Sequence, residues 1–336
     1  MSLNVPMVVA PDARYAYATG VVRGKWQKRL GRSEFARILE AEPENVGKVI
    51  AELGFTGADS DVETALADEW RRTVELVESL IGGDGLAKTP RMLTDFTNIA
   101  VAIKAELFEF EYEPNHLAGG NVSAERLMEL VSGEPPQGHI EQMLADIAND
   151  ARNAYSDTEL KLTIDSAIDS HFGEWLKEIM FASGREFLVE FARRWLDYKN
   201  FTAYLRLRVA GFDIEHFKQF FVEGGHLPRE EFARWEDGEI DAIPSRLVFS
   251  IYGKPLADAV GASIRERNFS PMSAFFDVMI EDFLRNNVYV PFGVEVVVAF
   301  AFLKLREIRA VGAIARMKSA RLDREAISER VRYGDI

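Results

Sequence analysis

The hydrophobic residues of this chain recur with the spacing of amphipathic α-helices over most of its length. In the stretch DFTNIAVAIKAELF, Phe96, Ile99, Ile103 and Leu107 are spaced so that they share one face of a helix. Alternation of apolar and polar residues, which marks a half-buried strand, is scarce. Clusters of glycine and proline separate the helical stretches. The pattern therefore predicts an all-α fold.

One of these helical stretches occurs twice, and a looser copy follows. Residues 95–104 read DFTNIAVAIK and residues 197–206 read DYKNFTAYLR, each with Asp first, Asn fourth and a cation tenth. The third copy, KLREIRAVGA, begins at Lys304 and has Glu307 where the other two have asparagine. The three copies, which we call the repeat stretches, lie about a hundred residues apart.

A second phrase recurs with a similar period and has the composition of a helix start. Its copies read GGNVSAERLMEL, GGHLPREEFARW and SARLDREAISERV, and a looser version, GRSEFARILEAE, stands near the beginning of the chain. Acidic residues in the first turn would complement the positive end of the helix dipole. The predicted capping or first-turn residues are Ser123, Pro228 and Asp323.

The two recurring phrases predict three similar helical-bundle domains, at residues 1–114, 115–222 and 223–336. Their period is longer than the roughly 20–50 residues of solenoid repeats. Three larger units in a ring or a short arc therefore fit the pattern better. The same phrase opens and closes the chain, which indicates that both chain ends contribute to the third unit.

Composition narrows the class of function. The 336-residue chain is 47% hydrophobic and 28% charged, as globular proteins are, and its net charge is −14. So acidic a chain is a poor candidate for binding nucleic acid or anionic lipid. It has no cysteine, which excludes disulfides and thiolate chemistry. The apolar run at 294–303 is too short to span a membrane and predicts a buried helix.

Motifs for catalysis, metal binding or cofactor binding are missing from the sequence. There is no phosphate-binding or dinucleotide-binding glycine loop, no HExxH and no GxSxG, and no two of the five histidines share a helical spacing. We therefore expect no catalytic residue, no cofactor and no metal. The alternative is an enzyme with a dry pocket and a carboxyl of raised pKa, formed by acids such as Asp165, Asp169 or Asp277.

Two features are open to both a structural and a functional interpretation. The acid–amide pairs Asp95/Asn98 and Asp197/Asn200 would either hold helices and loops together or line a partner surface. Residues 301–336 contain nine Lys or Arg and five Asp or Glu. These cations would either complement helix ends and acidic neighbours or form an electropositive lining for an acidic partner.

The order of these phrases resembles the C subunit of archaeal and bacterial V-type (A-type) rotary ATPases, which is equivalent to the d subunit of the eukaryotic enzymes. The resemblance rests on RYAYATGVVRGKW followed by EFARILEAE, on the two D-x-x-N helices, and on the glycine-glycine helix starts. It continues through the ending PFGVEVVVAFAFLKLREIRAVGAIARMKSARLDREAISERV. It covers essentially the whole chain.

The resemblance implies an all-helical funnel of three domains around a pseudo-threefold axis. It implies a non-catalytic central-stalk subunit, a socket that couples the rotor shaft subunits to the membrane proteolipid ring at the cytoplasmic face, for ATP-linked proton or sodium transport. A soluble helical-repeat scaffold for other cytosolic proteins is the alternative. The basic residues then expected to contact partners are Lys104, Arg206, Arg208, Lys304, Arg306 and Arg309.

Overall fold

The computed structural model describes residues 9–110, 118–236 and 238–331, and within these ranges the chain forms helices and no strand. The all-α prediction is confirmed. The α-helices are α1 (Ala16–Trp26), α2 (Arg32–Glu40), α3 (Val46–Glu52), α4 (Val62–Ile81), α5 (Thr89–Phe108), α6 (Ala124–Val131), α7 (His139–Thr158), α8 (Lys161–Ala182), α9 (Glu186–Val209), α10 (Ile214–Lys218), α11 (Arg229–Glu236), α12 (Ile243–Leu247), α13 (Gly253–Glu266), α14 (Ser270–Arg285), α15 (Val294–Ser319) and α16 (Arg324–Arg330). Short 3₁₀ turns lie at Ala13–Tyr15, Pro43–Asn45, Gly85–Lys88, Ile240–Ala242 and Asn286–Tyr289.

The helices group into two compact units. The central unit consists of Ala145–Asn286 with Val9, and the terminal unit consists of residues 10–144 and 287–331. The division between them falls inside α7. The three repeat domains with boundaries after residues 114 and 222 stay a prediction, as does their arrangement as a funnel.

In the central unit, α8 and α9 form a helical hairpin, and α9 also packs against α10 and α14. The repeat stretch of α9 contributes Phe201 and Tyr204 to an aromatic core. The ring of Tyr204 lies 5.3 Å from those of Phe217 in α10 and Phe232 in α11, and the ring of Phe201 lies 5.7 Å from that of Trp235. The repeat stretch and the short helix α11 are therefore joined by one buried cluster.

In the terminal unit, α15 packs against α4, α1 and α2, and α5 packs against α6. Every residue of the run at 294–303 is buried, so the predicted buried helix is confirmed. Within the described ranges, no helix combines the length and the apolar character that a membrane span needs.

The predicted helix starts are where the second phrase places them. Ser123 and Asp323 are the N-caps of α6 and α16, and their side chains accept hydrogen bonds from the backbone N–H groups three residues on, at 3.2 and 2.8 Å. Pro228 directly precedes α11. At the start of α2, the Glu34 carboxylate accepts from the N–H of Gly31 at 2.8 Å. These contacts satisfy N–H groups that a helix start leaves unpaired.

Candidate functional site

The three repeat stretches lie inside the three long helices α5, α9 and α15. Each of these helices carries a buried carboxylate that accepts a hydrogen bond from the backbone N–H two residues before a short helix. We call this arrangement a carboxylate lock. It joins each repeat stretch to a helix-start phrase, so the two recurring phrases belong to one structural device.

Asp95 on α5 forms the first lock. Its Oδ1 accepts from the N–H groups of Asn121 and Val122 at 2.8 and 3.2 Å, and its Oδ2 accepts from the Asn121 side-chain amide at 2.6 Å. The side chain is completely buried. Burial raises the pKa of Asp95 to about 6, although the donors from Asn121 and Val122 oppose the rise.

Asp197 on α9 forms the second lock and has one more partner. It accepts from the N–H groups of His226 and Leu227 at 3.0 and 2.9 Å, and from the Tyr252 hydroxyl at 2.5 Å. Burial raises the pKa of Asp197, while the Tyr252 and Leu227 donors oppose the rise. The same burial, with the nearby Asp197 charge, raises the pKa of Tyr252 well above its usual range.

Glu307 on α15 forms the third lock, within the terminal unit. Its carboxylate is buried and accepts from the N–H of Leu30 at 2.9 Å and from the Lys304 ammonium at 2.6 Å. Leu30 lies two residues before α2, as Val122 does before α6 and Leu227 before α11. A segment near the start of the chain is thus fixed to a helix near its end.

The second glycine of each glycine-glycine pair leaves the space that the carboxylate of the lock occupies. A Cβ on Gly120 would lie 2.4 Å from Asp95 Oδ1, and a Cβ on Gly225 would lie 2.2 Å from Asp197 Oδ1. Any side chain at these positions would push the carboxylate away from its donors. Glycine is required here by the close approach of an acid to the backbone.

Asn200, one turn after Asp197, brackets the backbone of Val222. Its side-chain amide donates to the Val222 carbonyl at 2.8 Å and its Oδ1 accepts from the Val222 N–H at 3.0 Å. Asn98, the equivalent on α5, is likewise buried. For Asp95, Asp197 and Asn200 the structural interpretation is confirmed, because these side chains are buried and hold loops to helices.

A partly buried polar cluster extends the second lock. Glu190 accepts from the His226 ring at 2.9 Å and pairs with Arg194 at 2.7 Å. Burial alone would raise the pKa of Glu190, but the His226 hydrogen bond and the neighbouring cations outweigh it, so that the pKa is lowered. The Arg194 guanidinium also lies 4.7 Å from the centre of the Phe283 ring. This network stabilises the loop that carries His226.

Two of the six predicted partner-binding cations are paired with carboxylates of their own unit. The Lys304 side chain is 16% exposed, and its ammonium lies 3.0 Å from Glu69 as well as 2.6 Å from Glu307. Burial lowers the pKa of Lys304, but the two carboxylates outweigh this effect and raise it. Arg208 pairs with Glu236 at 3.1 Å and donates to a backbone carbonyl after α11.

The other four predicted cations are exposed or partly exposed. Arg309 is exposed and donates to Thr97 Oγ1 at 2.8 Å. Arg206 is partly exposed, with its guanidinium 5.7 Å from the centre of the Phe269 ring. Lys104 and Arg306 are also partly exposed. Arg206 and Arg208 belong to the central unit, and the remaining four residues belong to the terminal unit.

Further cations of the C-terminal stretch follow the ion-pair interpretation. Arg316 pairs with Glu63 at 2.9 Å, and Arg324 pairs with Glu40 at 3.1 Å. The Lys318 ammonium donates to the backbone carbonyl of Leu39 in α2 at 2.9 Å. Three cations of this stretch, Lys304, Arg316 and Arg324, therefore pair with acids from the N-terminal part of the same unit.

Among the acids of the enzyme alternative, Asp169 has no room for a substrate beside it. This residue pairs with Lys199 at 2.9 Å, next to a cavity of about 10 Å³, which is the size of one water molecule. Burial raises the pKa of Asp95 and Asp197, and both of these carboxyls are occupied by the locks. In the described part of the chain, no group of three or more potential ligands could hold a metal ion.

Sequence reasoning missed two participants in the locks and one cluster of cations. Tyr252 lies 55 residues from Asp197 in sequence, and Leu30 lies 277 residues from Glu307. No local sequence pattern predicts contacts over such separations. The cluster did leave a signal, because residues 20–33 contain five cations and no acid. These cations are Arg23, Lys25, Lys28, Arg29 and Arg32.

Comparison with known proteins identifies the family of this chain. Residues 18–330 match the family model described as ATP synthase (C/AC39) subunit. The chain is 24% identical over 337 aligned positions to the C subunit of the A-type ATP synthase of Methanosphaera stadtmanae, with 90% of this chain and 84% of that protein covered. It is 24% identical over 320 positions to the protein of the same name from Haloferax volcanii, with 89% and 88% covered. The chain therefore belongs to the ATP synthase (C/AC39) subunit family of V/A-type rotary ATPases.

Proposed function

We propose that this chain is a non-catalytic central-stalk subunit of a V/A-type rotary ATPase, a socket that couples the rotor shaft to the membrane proteolipid ring. It acts as a peripheral subunit at the cytoplasmic face of the membrane and serves ATP-linked proton or sodium transport. Three similar helical domains surround the shaft as a funnel in this proposal.

The observation that carries the proposal is the threefold recurrence of the carboxylate lock. A part that transmits torque must resist shear between its helices and loops. Buried carboxylates bonded to backbone N–H groups provide such resistance, since leaving a buried donor or acceptor unsatisfied costs about 1–3 kcal/mol. Family membership supports the same proposal, because the relatives are named as subunits of an ATP synthase.

The cations divide into two groups under this proposal. Lys304 and Arg208 maintain the shape of the socket, since each is paired with a carboxylate of its own unit. Arg309, which is exposed, and Arg206, which is partly exposed, are the candidates for contact with an acidic shaft surface. Complementary charge at such an interface steers docking and fixes the relative orientation of the partners.

The test is purification of a tagged, full-length chain from detergent-solubilised membranes, followed by quantitative mass spectrometry. The proposal predicts that shaft subunits and proteolipid are recovered together with the chain. The double variant R206E/R309E should lose shaft subunits preferentially, whereas the exposed pair K48E/K88E, with the same change in charge, should retain them.

Two results would contradict the proposal at different levels. Recovery of neither the shaft nor the proteolipid from intact membranes would refute the placement at the joint and favour a scaffold for other cytosolic proteins. Full recovery of the shaft by R206E/R309E would leave the placement intact but refute the assignment of these two arginines.

A further inference from the structure

An apolar cavity opens on the terminal unit beside the C-terminal end of α1, and its volume is about 280 Å³. Most of its wall consists of aliphatic and aromatic side chains from α1, the segment before α15, and α15 itself: Val22, Trp26, Val288, Val296, Phe300 and Leu303. A mostly apolar lining with a few polar groups is typical of sites for small molecules. We call this space the α1 cavity.

The walls of the α1 cavity are held in place by hydrogen bonds and ring packing. The segment before α15 is tied to α1 by the N–H of Gly293, which donates to Thr19 Oγ1 at 3.3 Å. The rings of Trp26 and Phe300 meet edge to face at 6.2 Å. The cavity is thus preformed, which lowers the entropic cost of binding.

The volume of the α1 cavity sets the size of the ligand. An engineered apolar cavity of about 150 Å³ binds benzene, which has six carbon atoms. By the same ratio, the α1 cavity holds roughly ten carbon atoms. One short hydrocarbon chain therefore fits, whereas the two long acyl chains of a phospholipid together do not.

Arg23 places a positive charge in the wall of this apolar space. Its side chain is partly exposed, and its Nη2 donates to the Val290 carbonyl at 2.6 Å and lies 3.4 Å from the Val288 carbonyl. Among the described residues, no carboxylate pairs with this guanidinium, and its Nε–H and Nη1–H groups make no hydrogen bond. Those two groups remain for an anion.

Two other partly exposed arginines of the chain show what such a group ordinarily contacts. Arg126 pairs with Glu141 at 2.8 Å, and Arg208 pairs with Glu236 at 3.1 Å. A guanidinium is always charged in proteins, and its fork of N–H donors matches a carboxylate. The carboxylate that Arg23 lacks within the described part of the chain can thus be supplied by a ligand whose apolar part fills the cavity.

We propose that the α1 cavity binds a single-chain carboxylate of about eight to ten carbon atoms, a medium-chain fatty acid. The hydrocarbon chain lies between Trp26, Val288 and Phe300, and the carboxylate accepts hydrogen bonds from Arg23. The side-chain amide of Gln27, which also lines the cavity and is exposed, is a second donor. The inference goes beyond the proposed function, since it requires neither the shaft nor the ring.

The probe is decanoate, kept below its micelle concentration and titrated into the isolated full-length chain by calorimetry. Decanol and decyltrimethylammonium are titrated in parallel, because they carry the same hydrocarbon chain with no charge and with the opposite charge. We expect saturable binding of one decanoate per chain. Decanol should bind about tenfold more weakly, because it lacks the charge-assisted contact, and the cation more weakly still.

The variant Arg23→Gln tests the carboxylate contact. It should bind decanoate about tenfold more weakly and decanol within about twofold of the unmodified chain, since the apolar wall is kept. Arg29→Gln is the control, because Arg29 is exposed, lies nearby in sequence and does not line the cavity. Loss of both ligands by Arg23→Gln would mean that Arg23 only supports the wall, which would overturn the proposal.

The variant Val288→Trp tests the cavity itself. Val288 is 58% exposed at the mouth, so a larger ring is tolerated by the fold and should block entry of decanoate and decanol alike. Val248→Trp, at a position 45% exposed in the central unit, should bind both as the unmodified chain does.

Three further results would overturn the proposal. They are no binding of decanoate up to its micelle concentration, equal affinities for decanoate and decanol, and flotation with phosphatidylglycerol vesicles that Val288→Trp abolishes while decanoate does not bind. The last result would assign the cavity to a membrane lipid. None of these results bears on recovery of shaft and proteolipid from membranes.

Discussion

Gly225 and Asp197 lie so close together that no side chain fits between them. The carboxylate takes the space of the missing Cβ and uses it to reach two backbone N–H groups. The same relation holds between Gly120 and Asp95. At the scale of single residues, the recurring glycine pair and the recurring aspartate are thus two halves of one requirement.

We predict that Gly225→Ala lowers the free energy of unfolding by about 2–4 kcal/mol, because it displaces a buried carboxylate from charge-assisted hydrogen bonds. Urea denaturation measures the change. Gly20→Ala is the matched control, since nothing lies within 4 Å of a Cβ at that position in α1, and alanine should stabilise the helix by up to about 1 kcal/mol. Equal effects of the two substitutions would contradict the lock.

A second prediction at this scale concerns pH. Since the pKa of Asp95 is raised from 3.8 to about 6 in the folded state, the folded protein binds the proton more tightly than the unfolded chain. The stability this contributes is complete below pH 3.8 and is lost as pH rises through about 6. About 1 kcal/mol of it should disappear between about pH 5.5 and 7.5.

The pH contribution is isolated by comparing the unmodified chain with Asp95→Asn in urea at several pH values. Asparagine has no charge to titrate, so the difference between the two stabilities should change by that amount over the window. A difference that is constant with pH, or that changes in the opposite direction, would show that Asp95 is ionised as readily in the folded state as in the unfolded chain.

At the scale of elements, α15 has the same structural role in the terminal unit as α9 has in the central unit. Each is a long buried helix that carries an acid bonded to the backbone before a short helix. In α15 the acid is glutamate, and it also neutralises the partly buried Lys304. The third lock therefore combines a backbone contact with an ion pair, and α2 depends on both.

We predict that Glu307→Ala destabilises the chain by about 3–5 kcal/mol, because it leaves the Leu30 N–H unpaired and removes one of two carboxylates from Lys304. Hydrogen exchange should accelerate at Leu30 and in α2, and less at α16. The control is Glu44→Ala at an exposed position, where little change is expected. Unchanged exchange at Leu30 would mean that Glu307 does not fix this segment.

The sequence predicted much of the fold because helical periodicity is local. The repeat stretches, the buried run at 294–303 and the helix starts at Ser123 and Asp323 all follow from residues close together in the chain. The third lock could not be aligned from sequence. In the alignment of the repeat stretches, Glu307 stands where the other two have asparagine, one turn further along its helix than Asp95 or Asp197.

The candidate site was less predictable, because charge in a sequence does not reveal what each charge meets. Lys304 and Arg309 stand one and a half turns apart on α15, yet one faces two carboxylates and the other is exposed to solvent. Conversely, the exposed Lys25 and Lys28 lie in a stretch whose apolar partners come from the far end of the chain. Paired and exposed cations can be told apart only in the folded structure, where both chain ends pack into one unit.

At the scale of the whole molecule, we propose that the chain turns with the rotor. Family membership and three locks built on long helices support a part that transmits torque. A part of the rotor must move relative to the catalytic head whenever ATP is hydrolysed, and a part of the stator must not. The two possibilities are therefore separated by motion rather than by composition of the complex.

The measurement that tests this claim most directly is single-molecule rotation of the detergent-purified complex. The chain has no cysteine, so Glu44→Cys at an exposed position gives one attachment point for a gold particle. With the head fixed to glass, we predict that the particle rotates in one direction on addition of ATP and stops when ATP is removed. A particle that stays still while the same complexes hydrolyse ATP would contradict it.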